Sequence, residues 1–314
     1  MITFKSENKS IRGAFGEELA ELGKTNPDIV ALDADLSGST KTSIFAKAFP
    51  ERFFDVGIAE QDLITTALGL SLTGKIPFAA TFAVFATGRT YDQIRNSICY
   101  QKANVKIIGA HGGITVGEDG ASHQALEDIS LMRNLPNMIV ISPADYEQTR
   151  QAVRFASNYD GPVYIRLSRI EVPCIYDESY KFDINKAVKL REGKDISILA
   201  TGDIMAEAVK AVNILESKGI DAELINIPVI KPLDKQSIID SAKKTGLVVT
   251  IEDHSIIGGL GSAVCETLSE NYPTKVIRMG VEDKFGQSGT PKELLKNYKL
   301  DAESISDRIV EILK

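Results

Sequence analysis

Apolar positions recur every three or four residues through IRGAFGEELAELGKT, the period of a helix buried along one face. The apolar run that follows, DIVALDAD, has the length of a strand sealed on both sides. This alternation continues along the first half of the chain. Strands are expected in FFDVG, IPFAATF, VKIIGAH, MIVISPA and PVYIRLSR, and helices in AEQDLITTALGLSLTG, ATGRTYDQIRNSICYQ, HQALEDISLMRNL and DYEQTRQAVRFASN. Strands separated by such helices make a mostly parallel sheet covered on both faces, with ligands at the carboxyl ends of its strands. A polar, irregular stretch from Glu171 to Asp195 interrupts the pattern, which restarts with DISILATG and DIMAEAVKAVNILESKG and runs on through DAELINI, LDKQSIIDSAKKTG, LVVTIEDH and KVIRMG. The expected fold class is α/β, with two doubly wound, mostly parallel-sheet domains: residues 1–175, a linker over 176–194, and a smaller unit over 195–314.

At 314 residues the chain is long enough for two cores, and 43% hydrophobic with 25% charged residues is the composition of an ordinary soluble protein. A net charge of −7 without a basic cluster sets nucleic acid aside. Cys99, Cys174 and Cys265 are odd in number and far apart, which points to reduced thiols in a cytoplasmic protein. MITFKSENKS lacks the apolar core of a signal peptide, and no run approaches membrane-spanning length.

Glu60 stands between apolar stretches where a strand passes into a helix. An exposed carboxylate there is merely favoured by the helix dipole, by well under about 1 kcal/mol. Shielded from water, it needs a partner for its charge or a group with which to share a proton. Phe82 and Phe85 follow at the next strand end and can form an aromatic slot, which beside a buried carboxylate suits a flat heteroaromatic ligand as well as it suits core packing. The loop GAHGGITVGEDGASHQALED places His111 and His123 around Glu118 and Asp119, with glycines that permit close approach to a ligand. Its spacing matches no zinc pattern, so no metal is assigned to this chain, and a pocket for a hydroxylated substrate fits better. Arg12, Ser39, Arg166 and Arg169 are solvated groups taken singly, but at one face of the sheet they suit a phosphate. GGLGSAV lacks the third glycine of a dinucleotide loop, and no GxxxxGK[ST] is present. Nor is there a Gly-Asp-Gly stretch with an asparagine pair to ligate a magnesium diphosphate.

The segments GIAEQDL, TFAVFATGRTYDQIR, GGITVGEDGASHQALEDISLMRNLPNMIVISPAD, RLSR and IEDHSIIGGLGSAV together resemble, in order, the pyrimidine-binding and C-terminal domains of transketolase. The likeness covers essentially the whole chain, without the amino-terminal half that carries the family's diphosphate and metal site. It implies one subunit of a split, thiamine-diphosphate-dependent enzyme, with Mg²⁺ or Ca²⁺ on an N-terminal partner subunit and a dimer of heterodimers as the assembly. It also implies transfer of a two-carbon ketol unit from a ketose phosphate to an aldose phosphate, as in the pentose phosphate pathway.

By the same resemblance, Glu60 pairs with N1′ of the cofactor's aminopyrimidine and favours the imino form at N4′, the base for the thiazolium C2 proton. Phe82 and Phe85 pack on the pyrimidine, and Asp35 lies in the matching cofactor-side loop. Arg12, Ser39, His111 and Arg169 correspond to the residues that hold the sugar phosphate. Asp119 corresponds to the reader of the donor's hydroxyl configuration, and His123 to a residue near the reacting carbons. Where some members have a third pocket aromatic, this chain has Gly88 in a segment one residue longer, with Arg89 or Tyr91 as substitutes. His254 is expected to be structural.

A deoxyxylulose-phosphate synthase half and the β-subunit of a 2-oxo acid dehydrogenase share the fold and a comparable glutamate. The phosphate set and the Asp119–His123 arrangement favour transketolase over both. A non-catalytic partner subunit would have little reason to retain these side chains together.

Overall fold

Successive side chains of each strand point to opposite faces of the sheet, and this sets the layers. In the computed structural model, which describes residues 1–314, the first half supplies β1 (Ser6–Ser10), β2 (Ile29–Asp33), β3 (Phe53–Asp55), β4 (Ile76–Phe82), β5 (Lys106–Ala110), β6 (Ile139–Ile141), β7 (Val163–Leu167) and β8 (Glu171–Cys174). The second half supplies β9 (Val188–Arg191), β10 (Ile196–Thr201), β11 (Ala222–Asn226), β12 (Val229–Lys231), β13 (Leu247–Ser255) and β14 (Lys275–Val281). Ile29 and Ala31 of β2 join Phe15, Phe45, Phe78 and Ile108 in one core. Val30 and Leu32, pointing the other way, join Leu63, Ile64 and Ile107 in another. Because helices cover both faces, β2, β5 and β7 are buried throughout.

The larger sheet has seven strands in the order β12-β6-β7-β5-β4-β2-β3, and the smaller has five in the order β14-β13-β10-β11-β9. Both are parallel except at one edge each, where β12 runs antiparallel to β6 and β9 to β11. This is the expected α/β architecture. From β2 the chain steps outward to β3, then returns to the other side of β2 as β4. The reversal opens a crevice at the carboxyl ends of these strands.

Three features depart from the sequence expectation. The stretch expected to be irregular contains β8, which pairs with the polar, exposed β1, and β9, which edges the second sheet. β1 and β9 bury too little to show an apolar pattern, and β8 is only four residues long. The helix expected over 123–135 spans only Asp128–Asn134, because Gln124 and Ala125 bond to the glycine-rich loop instead. The helix expected over 86–101 holds two wide, π-type turns, Phe85–Arg89 and Ile94–Cys99, a geometry that absorbs the additional residue. No helix is long and apolar enough to cross a membrane.

Candidate active site

The loops after β2, β3, β4, β5 and β7 converge on the crevice. Buried Asp33, the last residue of β2, accepts from the Leu36 N–H at 2.6 Å and from the hydroxyls of Thr40 and Thr42 at 2.6 and 2.8 Å. This carboxylate closes the loop carrying Asp35 and Ser39. The helix Ile11–Thr25 begins at Ser10, whose hydroxyl accepts from the Gly13 N–H at 3.0 Å. In its first turn Arg12 donates to the Ser39 carbonyl at 2.5 Å and to the Arg169 carbonyl at 3.0 Å, and lies 3.4 Å from His111 Nε2. One guanidinium thus ties the ends of three strands together.

His111 directly follows β5 with φ of +60°. Its ring lies 3.8 Å from that of Phe82, and burial, then Arg12 and Arg169, push its pKa down to about 3. The imidazole is therefore neutral. Arg12 offers only donors, so Nε2 accepts and Nδ1 carries the hydrogen. That N–H is buried and finds no partner within the protein.

Phe82 and Phe85 form the slot their spacing predicts, with centroids 5.9 Å apart and planes 13° from parallel. His123 meets both rings edge-on at 6.1 and 5.4 Å. Arg169 donates to the Val116 carbonyl and, at 3.1 Å, to Glu118, with Asp119 3.9 Å away. A phosphate at this position would share a guanidinium already paired with the loop.

Glu60 opens the helix Glu60–Leu72 and is only 5% exposed. Its Oε1 accepts from Arg89 Nη1 at 2.8 Å, and the same guanidinium lies 4.1 Å over the Phe85 ring. Of the two candidates for the missing aromatic wall, Arg89 is the one that lies over Phe85. Tyr91 packs against the core instead.

Glu60, Arg89, Phe85, Phe82, His111, Arg12 and Arg169 make an unbroken series of contacts, with His123 and Asp119 alongside. Three members of the expected set differ. Asp35 is exposed, and its backbone N–H donates to Asp55 at 3.0 Å, outside this series. Ser39 contributes its carbonyl to Arg12. Arg166 is not available to a phosphate, because it is buried and donates to Asp128 at 2.9 Å and to the Asp253 carbonyl at 2.7 Å. His254 is fully buried in the same region, 4.0 Å from Asp128, and burial pushes its pKa down to about 4.

These features fit a flat, basic heteroaromatic ring: a carboxylate shielded from water, an aromatic slot beside it, and one half-exposed arginine to displace. They do not supply a cation site, since no group of three or more His, Cys, Asp or Glu side chains is placed to hold a metal ion. Sequence reasoning missed the Glu60–Arg89 pair, the brace at Asp33 and the reach of Asp253 into the site. The acidic IEDH strand end was the only signal for the last of these.

Comparison with known proteins agrees with the geometry. Residues 7–174 match the family model of the transketolase pyrimidine binding domain, and residues 185–305 that of the transketolase C-terminal domain. The chain is 50% identical to a putative transketolase C-terminal section of Methanocaldococcus jannaschii, over 100% of this chain and 99% of that protein. It is 44% identical to the 6-deoxy-6-sulfo-D-fructose transketolase subunit of a Clostridium species, over 96% of this chain and 94% of that one. A solved split-gene transketolase, an inactive β4 tetramer, superposes with a TM-score of 0.90 at 54% identity, covering 97% of this chain and 98% of that chain.

Proposed function

This chain belongs to the transketolase family, and we propose that it is the pyrimidine-binding and C-terminal subunit of a split, thiamine-diphosphate-dependent transketolase. The observation that carries the reading is the continuity of the site. The buried Glu60 and the Phe82–Phe85 slot lead without a break to Arg12, His111 and Arg169. A heteroaromatic ring and a phosphorylated sugar thus find adjoining places at one switch point.

When bound, the cofactor supplies the carbon nucleophile that takes up the two-carbon unit. This chain's residues would hold and orient. Glu60 pairs with the ring nitrogen and shares its proton, Phe82 and Phe85 pack on the ring, and Arg89 yields its place on the carboxylate. His111 Nδ1–H donates to a substrate oxygen, Arg12 and Arg169 bind the phosphate with the Ser39 loop, and Asp119 and His123 face the sugar chain. Asp35 keeps a place in the cofactor-side loop. Two units, 1–175 and 195–314, joined through 176–194, carry this arrangement. The diphosphate, with Mg²⁺ or Ca²⁺, belongs to an N-terminal partner subunit, and a dimer of heterodimers in the cytoplasm is the working assembly. The relative solved as an inactive β4 tetramer supports a chain that is incomplete by itself.

Two substrate pairs test the reaction. With the partner subunit, xylulose 5-phosphate plus ribose 5-phosphate should turn over, as the pentose phosphate pathway requires, and pyruvate plus glyceraldehyde 3-phosphate should not. The opposite preference would assign the chain to the deoxyxylulose-phosphate synthase class. Arg169→Ala should raise KM for phosphorylated sugars about tenfold or more with kcat little changed, the mark of lost binding that is equal in the ground and transition states. Steady-state kinetics with an unchanged KM would move the phosphate elsewhere.

A further inference from the structure

The glycine-rich loop is held from the second domain. Asp253, at the carboxyl end of β13 and 1% exposed, reaches into the first domain. Its Oδ1 accepts from the Ile114 N–H at 2.8 Å, and its Oδ2 from the Thr115 N–H at 3.2 Å. Thr115 Oγ lies 2.8 Å from Asp253 Oδ2 and 2.9 Å from Asp203 Oδ2. A hydroxyl has one proton to give, so the second contact needs a proton on a carboxyl. Burial and the neighbouring Asp203 push Asp253 upward, toward holding it.

The chain approaches closely enough that a Cβ on Gly113 would lie 2.1 Å from Asp253 Oδ2, at a φ of +86° that disfavours a side chain in any case. A second tie comes from Gln124, whose amide Nε2 lies 3.2 Å from each of the Ile114 and Gly117 carbonyls and 3.0 Å from the carbonyl of Gln287 in the second domain, with two hydrogens to share among them. Between these ties stand Glu118 and Asp119, which meet Arg169.

We propose that Asp253 is a positioning residue: by accepting the Ile114 and Thr115 N–H groups, it fixes the Gly113–Gly120 loop so that Asp119 and the Arg169 guanidinium face the sugar phosphate. The second domain thereby shapes the substrate side of the site while the cofactor side rests on the first domain. The substrate half of this inference rests on the function proposed above. The anchoring half does not.

Hydrogen exchange on the chain alone tests the anchor. In Asp253→Ala, amides of 113–120 should exchange about tenfold faster or more, while β5 and β10 stay protected. Asp253→Asn should fall between this variant and the unsubstituted chain, because its amide oxygen still accepts from Ile114. In the complex with the partner subunit, Asp253→Ala should raise KM for the sugar phosphate about tenfold, leave cofactor affinity unchanged and hold kcat within about threefold. Exchange that does not change, or that rises equally in β5 and β10, overturns the anchor. A loosened loop with an unchanged KM overturns its bearing on substrate. Failure of the functional reading itself would show separately, as no sugar-phosphate turnover by the unsubstituted complex.

Discussion

Glu60→Ala is expected to lower kcat of the two-subunit enzyme by about 10²–10⁴-fold at saturating cofactor, the range for loss of a positioned proton-transfer partner. Glu60→Gln should fall almost as far. It keeps the length of the side chain and an acceptor oxygen but cannot share a proton with a ring nitrogen. The site explains why the loss should be in rate rather than folding. In the free chain the carboxylate meets one cation, Arg89, whose side chain is 53% exposed. Removing Glu60 returns that guanidinium to water and to the Phe85 face, so the thermal midpoint of the chain should move little. Relieving the desolvation of a buried carboxylate also offsets the lost ion pair. The measurement is kcat against cofactor concentration, beside a thermal melt of the free subunit. A rate within a few fold of normal at saturation would remove Glu60 from the chemistry.

The second large effect concerns the chain by itself. Purified alone, it should show no measurable turnover of sugar phosphates, and activity should appear on adding a complementary subunit and level off at equimolar ratio. The slot can take one end of the cofactor, but no group of three or more His, Cys, Asp or Glu side chains is placed to hold the metal of a diphosphate. Ile58, two residues before Glu60, is 76% exposed, and Tyr100, just beyond the second π-type turn, is 85% exposed. Apolar side chains left open on this domain suit burial by a partner. Titration of activity against the complementary subunit, paired with size-exclusion chromatography, makes the test. Robust turnover by the chain alone would end the split-enzyme reading.

Much of the site could be read from sequence because its residues sit at strand ends, and strand ends are marked by where apolar runs stop. Glu60, Phe82, His111 and Arg169 were all found that way, and the structure gathers them at one face. Arg166 misled for a related reason. It stands three residues before Arg169 in the same strand-end segment, and nothing in composition reveals that one guanidinium turns inward to Asp128 and Asp253 while the other turns to the loop. Arg89 was visible as a candidate wall but not as the ion-pair partner of Glu60, since that contact spans 29 residues and depends on a π-type turn.

By itself the sequence determined the layers: unbroken apolar runs specify strands sealed on both faces, helical apolar periods specify which side of each helix is buried, and burial drives the elements together into parallel sheets. Local chemistry such as the Ser10 cap and the glycines of the 112–120 loop was equally its own. Only the tertiary structure decided how far the two domains share one site. Asp253 bonds to backbone N–H groups 138 and 139 residues away, and β12 of the second half completes the sheet of the first. Backbone donors look alike at every position in a sequence, so which of them a distant carboxylate will satisfy is settled only when packing brings the two within reach.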